Sequence, residues 1–175
     1  PLRYGIGKGE LKSRLQRSVP AAVFNSVLAA ALAEGALHAR EDRVALTVDA
    51  PLPPEAARAA EAMVAAAAAA GLQARPAGEL AALGGAPGQE ILSRLLFERQ
   101  LVRFPGELVF HPEALAKAEA LAGERLRAAP RLSVADFKEL FGLSRKYLVP
   151  LLEYLDARGV TRRDGEVRVA GRRGA

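Results

Sequence analysis

Residues 133–170 read SVADFKELFGLSRKYLVPLLEYLDARGVTRRDGEVRVA. Ser133 is placed as a helix N-cap, and Asp136, three residues on, completes a capping-box arrangement. The helix should run to Phe141, where Gly142 ends it as the C′ residue. Ser144 then caps a second helix, along which Leu148, Leu151, Leu152 and Leu155 form one apolar stripe at i, i+3, i+4 and i+7. Gly159 closes that helix. Val160 to Arg163 and Glu166 to Ala170 are short β-type runs joined by Asp164-Gly165. Asp-Gly is the favoured pair of a two-residue type I′ hairpin, because both residues need positive φ. Upstream, Pro112 to Ala128 reads as a helix with Leu115, Leu121 and Leu126 along it. Helix, helix, helix, hairpin is the winged-helix order, a variant of the helix-turn-helix.

The same design recurs along the chain. Leu37, Leu101 and Val160 are 64 and 59 residues apart, and so are Val44, Leu108 and Val167. Two anchors with one spacing imply three units of roughly 60 residues. The second unit has Pro54 to Ala70 as its first helix, Glu79-Leu80 in a short helix and Gln89 to Arg99 in a longer one. Its hairpin runs through Gln100-Leu101 and Leu108-Val109-Phe110. The first unit has Glu10-Leu11, Val19 to Gly35, Ala36-Leu37 and Val44-Ala45-Leu46, and lacks the leading helix. The fold class expected is mainly α with small β-hairpins, a tandem array of winged-helix domains. Its units are 1–50 (truncated at its N-terminus), 51–111 and 112–175. Pro51, Pro53, Pro54 and His111-Pro112 make the junctions short and stiff, so a rod-like array is expected.

Composition narrows the functions open to such an array. The 175 residues include no Cys and no Trp, one Met and two His. A disulfide framework and a thiolate metal site are excluded, and His38 and His111 stand too far apart in sequence for a His cluster. The 50% hydrophobic content argues against disorder. The Ala62 to Leu72 run is too short to span a bilayer, so no membrane is expected and the cytoplasm is the expected compartment. A chain that opens Pro1-Leu2-Arg3 without Met is expected to be part of a longer protein. Gly5-Ile6-Gly7-Lys8-Gly9 fails as a phosphate loop. Leu2 stands where its first Gly belongs, and Gly9 stands where Ser or Thr should follow the Lys. Gly84-Gly85-Ala86-Pro87-Gly88 reads as a turn between helices. No nucleophile–base pattern accompanies either His. No catalytic residue, metal or cofactor is expected in this segment.

Charge is unevenly placed. The formal net charge is +5, split as +2 over residues 1–50, −1 over 51–130 and +4 over 131–175. A basic patch on a helix-turn-helix relative is the footprint of nucleic-acid binding. Arg145 and Lys146 lie in the first turn of the third unit's second helix, where the helix dipole disfavours cations. A phosphate at that N-terminus would give them a reason to be there. Arg162, Arg163 and Arg168 are on the hairpin. In an ideal two-residue hairpin Arg163 faces Glu166, Arg162 faces Val167 and Thr161 faces Arg168, with Val160 and Val169 on the packed face. Arg162 shares that face near the tip. Tyr147 can stack on bases or pack at the helix edge, and both readings stand open. Tyr154 is expected to pack. Pro150 removes one backbone donor inside the helix.

These residues carry a resemblance. Ser133 to Leu140, Ser144 to Asp156, Gly159 to Arg163 and Gly165 to Val169 resemble the C-terminal end of the bacterial selenocysteine-specific translation elongation factors, the SelB family. Pro1-Leu2-Arg3 with Glu10-Leu11-Lys12-Ser13-Arg14-Leu15 looks like the junction into an earlier winged-helix unit of that family. The resemblance implies an N-terminal GTPase that carries selenocysteyl-tRNA and four C-terminal winged-helix units. The last of these binds a hairpin in selenoprotein mRNA, the SECIS element. This chain would hold a truncated second unit, the third and the fourth. By position, Arg145, Lys146 and Tyr147 match the helix start that faces RNA, and Arg162, Arg163 and Arg168 match the basic wing. The implied partners are the SECIS hairpin and, through the complete protein, the ribosome and selenocysteyl-tRNA. A monomer is expected. Departures are Tyr4, Gly7 and Gly9 in the first-unit loop and the extra Gly171-Arg172-Arg173 tail. The rival functions are a regulator binding double-stranded DNA and a protein–protein scaffold, the latter the better reading for the near-neutral middle unit.

Overall fold

The computed structural model describes residues 5–15, 18–40, 43–46 and 51–173. The opening Pro1-Leu2-Arg3 and Tyr4, to which part of the resemblance attaches, lie outside them. The C-terminal unit begins with α6 (Pro112–Ala128). A short strand β7 (Leu132–Ser133) leads into α7 (Val134–Phe141) and α8 (Arg145–Ala157), and the hairpin β8 (Thr161–Asp164) and β9 (Val167–Ala170) closes the unit. At Ser133 both halves of the capping box form. Asp136 N–H donates to Ser133 Oγ at 3.2 Å, and Ser133 N–H donates to Asp136 Oδ2 at 2.7 Å. Gly142 follows α7 in the left-handed conformation, φ 62°. Ser144 occupies the N-cap of α8 but makes no side-chain capping bond. The stripe Leu148, Leu151, Leu152 and Leu155 is fully buried with Phe137.

Two features of the sheet differ from the sequence expectation. Each unit carries a third strand two residues long, which has no periodicity to betray it. The sheet of the last unit runs β7-β9-β8, all antiparallel. The hairpin is also shifted by one residue. Asp164 pairs with Val167, Arg163 with Arg168, Arg162 with Val169 and Thr161 with Ala170, so the turn is Gly165-Glu166. Of these two, only Gly165 has positive φ, 65°. These are the φ signs of a type II′ turn, which needs Gly only at its first central position. A type I′ turn would force Asp164 to positive φ as well. Moving the turn by one residue shifts the register by two, so the alternation is kept and what differs is which face packs inward. Thr161 and Arg168, not Val169, face α8; Arg162 and Val169 share the opposite face.

The preceding unit repeats the plan. It comprises α3 (Pro54–Ala70), β4 (Arg75–Pro76), α4 (Ala77–Ala82), α5 (Gly88–Phe97), β5 (Val102–Phe104) and β6 (Leu108–Phe110). Its own core joins Ala56, Ala60, Met63 and Ala67 of α3 to Ile91, Leu92 and Leu95 of α5, with Leu101 and Val109 beneath the wing. Strand β6 is buried on both sides. Leu108 and Phe110, together with Phe104 of β5, belong to the core of the last unit, alongside Leu115, Leu126, Phe137 and Leu155. The Phe104 ring lies 4.4 Å from that of Phe110 and 5.1 Å from that of Tyr154 of α8, centre to centre and tilted in both cases. The two units therefore share apolar surface across the junction at His111. His111 is the N-cap of α6, its Nδ1 accepting from Glu113 N–H at 3.3 Å.

The first unit contains β1 (Ile6–Gly7), α1 (Lys8–Leu15), α2 (Ala21–Ala33), β2 (Leu37–Arg40) and β3 (Arg43–Leu46), with sheet order β1-β3-β2. The long helices of the three units are followed by Gly35, Arg99 and Gly159, all at positive φ and 64 and 60 residues apart. This correspondence equates Val27 with Ile91 and Leu151. The latter two are buried in their units' cores, whereas Val27 is 60% exposed. The described residues of the first unit include no counterpart of α3 or α6.

Candidate nucleic-acid interface

Helix α8 places the first group of candidate residues. Arg145 and Lys146 occupy its first turn and are exposed; no acidic residue shares that turn. Among the described residues neither pairs with a carboxylate. Lys146 Nζ lies 5.3 Å from the centre of the Tyr147 ring, and Tyr147 is half-buried against the apolar core. Tyr147 therefore packs on the core while a cation stands over its ring. Pro150 is accommodated within the continuous helix.

The wing places the second group. Arg162 is exposed and has no carboxylate partner among the described residues. Arg163, also exposed, donates from Nε to the Gly165 carbonyl at 3.0 Å. At the base of the hairpin tip, Arg131 pairs with Asp164 at 3.2 Å. Arg168 does not join this surface. It is 9% exposed, and its Nε reaches the two Asp156 carboxylate oxygens at 3.0 and 3.2 Å while its Nη2 lies 3.0 Å from Oδ2. Thr161, 1% exposed, donates its hydroxyl to the same carboxylate.

The middle unit treats its cations differently. Arg75 pairs with Glu79, Arg94 with Glu98 and Arg103 with Glu107, each four residues on. Phe104, Leu108 and Phe110 of its wing are buried against the neighbouring unit. A free basic wing with a free basic helix start is therefore a property of the last unit and not of the one before it.

Several residues that shape the interface were not legible as candidates. Glu119 on α6 accepts from the Tyr154 hydroxyl at 2.6 Å and from Arg158 Nε at 3.2 Å. Burial, reinforced by that hydrogen bond, pushes the Tyr154 phenol up to about 12. These partners are 35 and 39 residues apart, beyond any local pattern. Asp156, read only as part of a helix, holds the wing.

Two family models, both described as "Elongation factor SelB, winged helix", match residues 1–46 and 124–170, together just over half of the chain. The chain belongs to the SelB winged-helix family. Two solved structures share its fold. The crystal structure of a bacterial selenocysteine-specific elongation factor, EF-Sec, aligns with a TM-score of 0.60 at 23% identity, covering 97% of this chain and 26% of that one. The mRNA-binding domain of SelB from E.coli, solved in complex with SECIS RNA, aligns with a TM-score of 0.57 at 18% identity, covering 69% of this chain and 99% of that one. No curated protein matches the chain. The chain thus spans about a quarter of the EF-Sec chain it resembles, and the SelB models fall on the first and last of its winged helices. No helix among the described residues is long and apolar enough to cross a membrane.

Proposed function

We propose that this chain is the mRNA-binding end of a selenocysteine-specific elongation factor, and that its last winged helix, within residues 112–175, grips a SECIS-type RNA hairpin. The observation that carries the reading is the α8 start, where two exposed cations stand in a first turn without acidic neighbours. Free amides and unpaired cations at a helix N-terminus suit a phosphate. Arg145 and Lys146 meet the backbone, Arg162 and Arg163 meet it from the wing, and Tyr147 offers its free ring edge to a splayed loop base. Arg168 stands beneath the wing rather than on it. Loops, ends and phosphates are the targets, because the major groove of duplex RNA is too deep and narrow for a helix.

The three units are 1–50, 51–111 and 112–175, and the middle one is a scaffold. Its paired cations and its wing, covered by the neighbouring unit, support that role. This segment performs no catalysis and acts as a monomer in the cytoplasm. GTP hydrolysis, selenocysteyl-tRNA and the ribosome belong to the complete factor, which the hairpin tethers at the recoded codon.

The test is an anisotropy titration of the whole chain with a selenoprotein mRNA hairpin at several salt concentrations. Arg145→Ala and Arg162→Ala should each weaken binding by about tenfold, about 1.4 kcal/mol. The slope of log affinity on log salt should fall by about 0.7–0.9 for each phosphate that the variant no longer neutralises. Arg94→Ala, already paired with Glu98, should stay within about twofold of the parent. Equal affinities for all three variants would remove the site, and stronger binding to duplex DNA would favour a DNA regulator.

A further inference from the structure

The repeat allows the last two units to be compared position by position. Helix α5 closes with Arg99 N–H on Leu96 O at 3.2 Å and Gln100 N–H on Leu95 O at 2.9 Å. Helix α8 closes in the same way, with Gly159 N–H on Asp156 O and Val160 N–H on Leu155 O, both at 3.0 Å. Leu96 therefore corresponds to Asp156, and Leu101 to Thr161. In the sheets, Val109 pairs with Arg75 and Arg168 pairs with Leu132, so Val109 corresponds to Arg168. Beneath the wing, three aliphatic side chains in one unit are replaced by a carboxylate, a hydroxyl and a guanidinium in the next.

Stability alone does not explain the exchange. A buried ion pair is often no better than well-packed aliphatic residues in the same place. The two arrangements differ in direction. Apolar burial is non-directional, whereas a guanidinium fork on a carboxylate fixes an angle. The wings also differ in support. The first is clamped between two cores, since β6 is buried on both sides. The second packs on α8 and α6, while Val167 and Val169 are half-buried and Arg162 is exposed. Arg163, moreover, lies directly across the ladder from Arg168. Like charges so placed repel unless one is neutralised. Asp156 takes up the charge of Arg168 and leaves that of Arg163 unshared. In the preceding unit the equivalent Arg103 faces Val109 and spends its charge on Glu107.

We propose that Asp156 and Arg168 are positioning residues for RNA binding: their ion pair sets the angle of the wing against α8 and keeps the Arg162 and Arg163 charges free for phosphates. This rests on the RNA-hairpin reading above. Neither residue touches the RNA; each acts through the wing.

The test uses the whole chain, a selenoprotein mRNA hairpin and thermal melting of every variant. The unaltered chain is titrated first. If it does not bind the hairpin, the RNA reading fails and the positioning role falls with it, before any variant is made. In Asp156→Asn the chain loses a negative charge, so charge alone predicts tighter binding to a polyanion. Positioning predicts binding weaker by about fivefold or more. The triple variant Asp156→Leu, Thr161→Leu, Arg168→Val installs the aliphatic set of the preceding unit at unchanged net charge. Its melting midpoint should match or exceed that of the parent, its affinity should drop by a similar factor, and its salt slope should not change. Parental affinity in the triple variant, or tighter binding by Asp156→Asn, overturns the proposal. So does a salt slope lower by about 0.7–0.9, which would put Arg168 on a phosphate.

Discussion

Asp136 closes the start of α7 by accepting from the Ser133 amide and hydroxyl, both at 2.7 Å. The Ser133 hydroxyl and amide, with Arg125 adding positive potential, hold this carboxyl below its ordinary value of 3.8. A carboxylate whose pKa is lowered by folding contributes stability that is present above its unfolded pKa. That contribution is lost as pH falls through the folded value. Thermal melts between neutral and about pH 2 should show this loss as an acid limb, and Asp136→Asn should flatten it. A variant with the same acid limb as the parent would remove the role. The cap was legible because its two residues are three apart. The burial of Arg168 was not legible: alternation groups it with Thr161 under either turn, and only the packing of Asp156 on α8 makes that face the inner one.

Among the elements, the long helices were the most legible. α3 and α6 have the bounds the sequence suggested, since Pro at the first helical position sets φ and Ala-rich runs favour the helix throughout. The two-residue strands were invisible, because pairing with a distant partner defines them. After α2, α5 and α8 the chain turns through a left-handed residue, Gly35, Arg99 or Gly159. Only Arg99 carries a side chain there, at φ 59°, which crowds its Cβ against the backbone. The Arg99 side chain is exposed and forms no ion pair among the described residues; its backbone amide bonds to Leu96. Arg99→Gly is therefore expected to stabilise the chain by about 0.5–1 kcal/mol, seen as a higher melting midpoint. A lower midpoint would mean that the Arg99 side chain itself holds the turn.

At the scale of the molecule, the second and third units meet through Phe104, Phe110 and Tyr154. Truncating a buried aromatic costs about 3–5 kcal/mol. Phe104→Ala should lower stability by that amount and split denaturant unfolding of the last two units into separate steps, which amide hydrogen exchange can follow residue by residue. A single transition of unchanged slope would show that the units stay coupled without the Phe104 contact. Tyr154 adds a pH signature. A phenol raised by folding from 10.0 to about 12 favours the protonated native state, so its contribution is present below its unfolded pKa and is lost as pH rises toward 12. Tyr154→Phe should remove that alkaline loss from melts between about pH 9 and 12. Cutting the chain at residue 112 would expose the apolar face of the last unit, so the division of labour between units is best tested by substitution within the whole chain.

Local chemistry was enough to determine the helices, the Ser133 cap, the threefold repeat and the basic character of the last unit, because helix signals act within four residues and charge is additive. The tertiary structure decided which cations are free. Helix α8 packs on the Thr161 and Arg168 face of the wing, which buries Arg168 on Asp156, and Phe104, Leu108 and Phe110 of the preceding wing are enclosed by the neighbouring unit. Both depend on surfaces brought together across tens of residues, where burial and pairing, not spacing, set each side chain's surroundings.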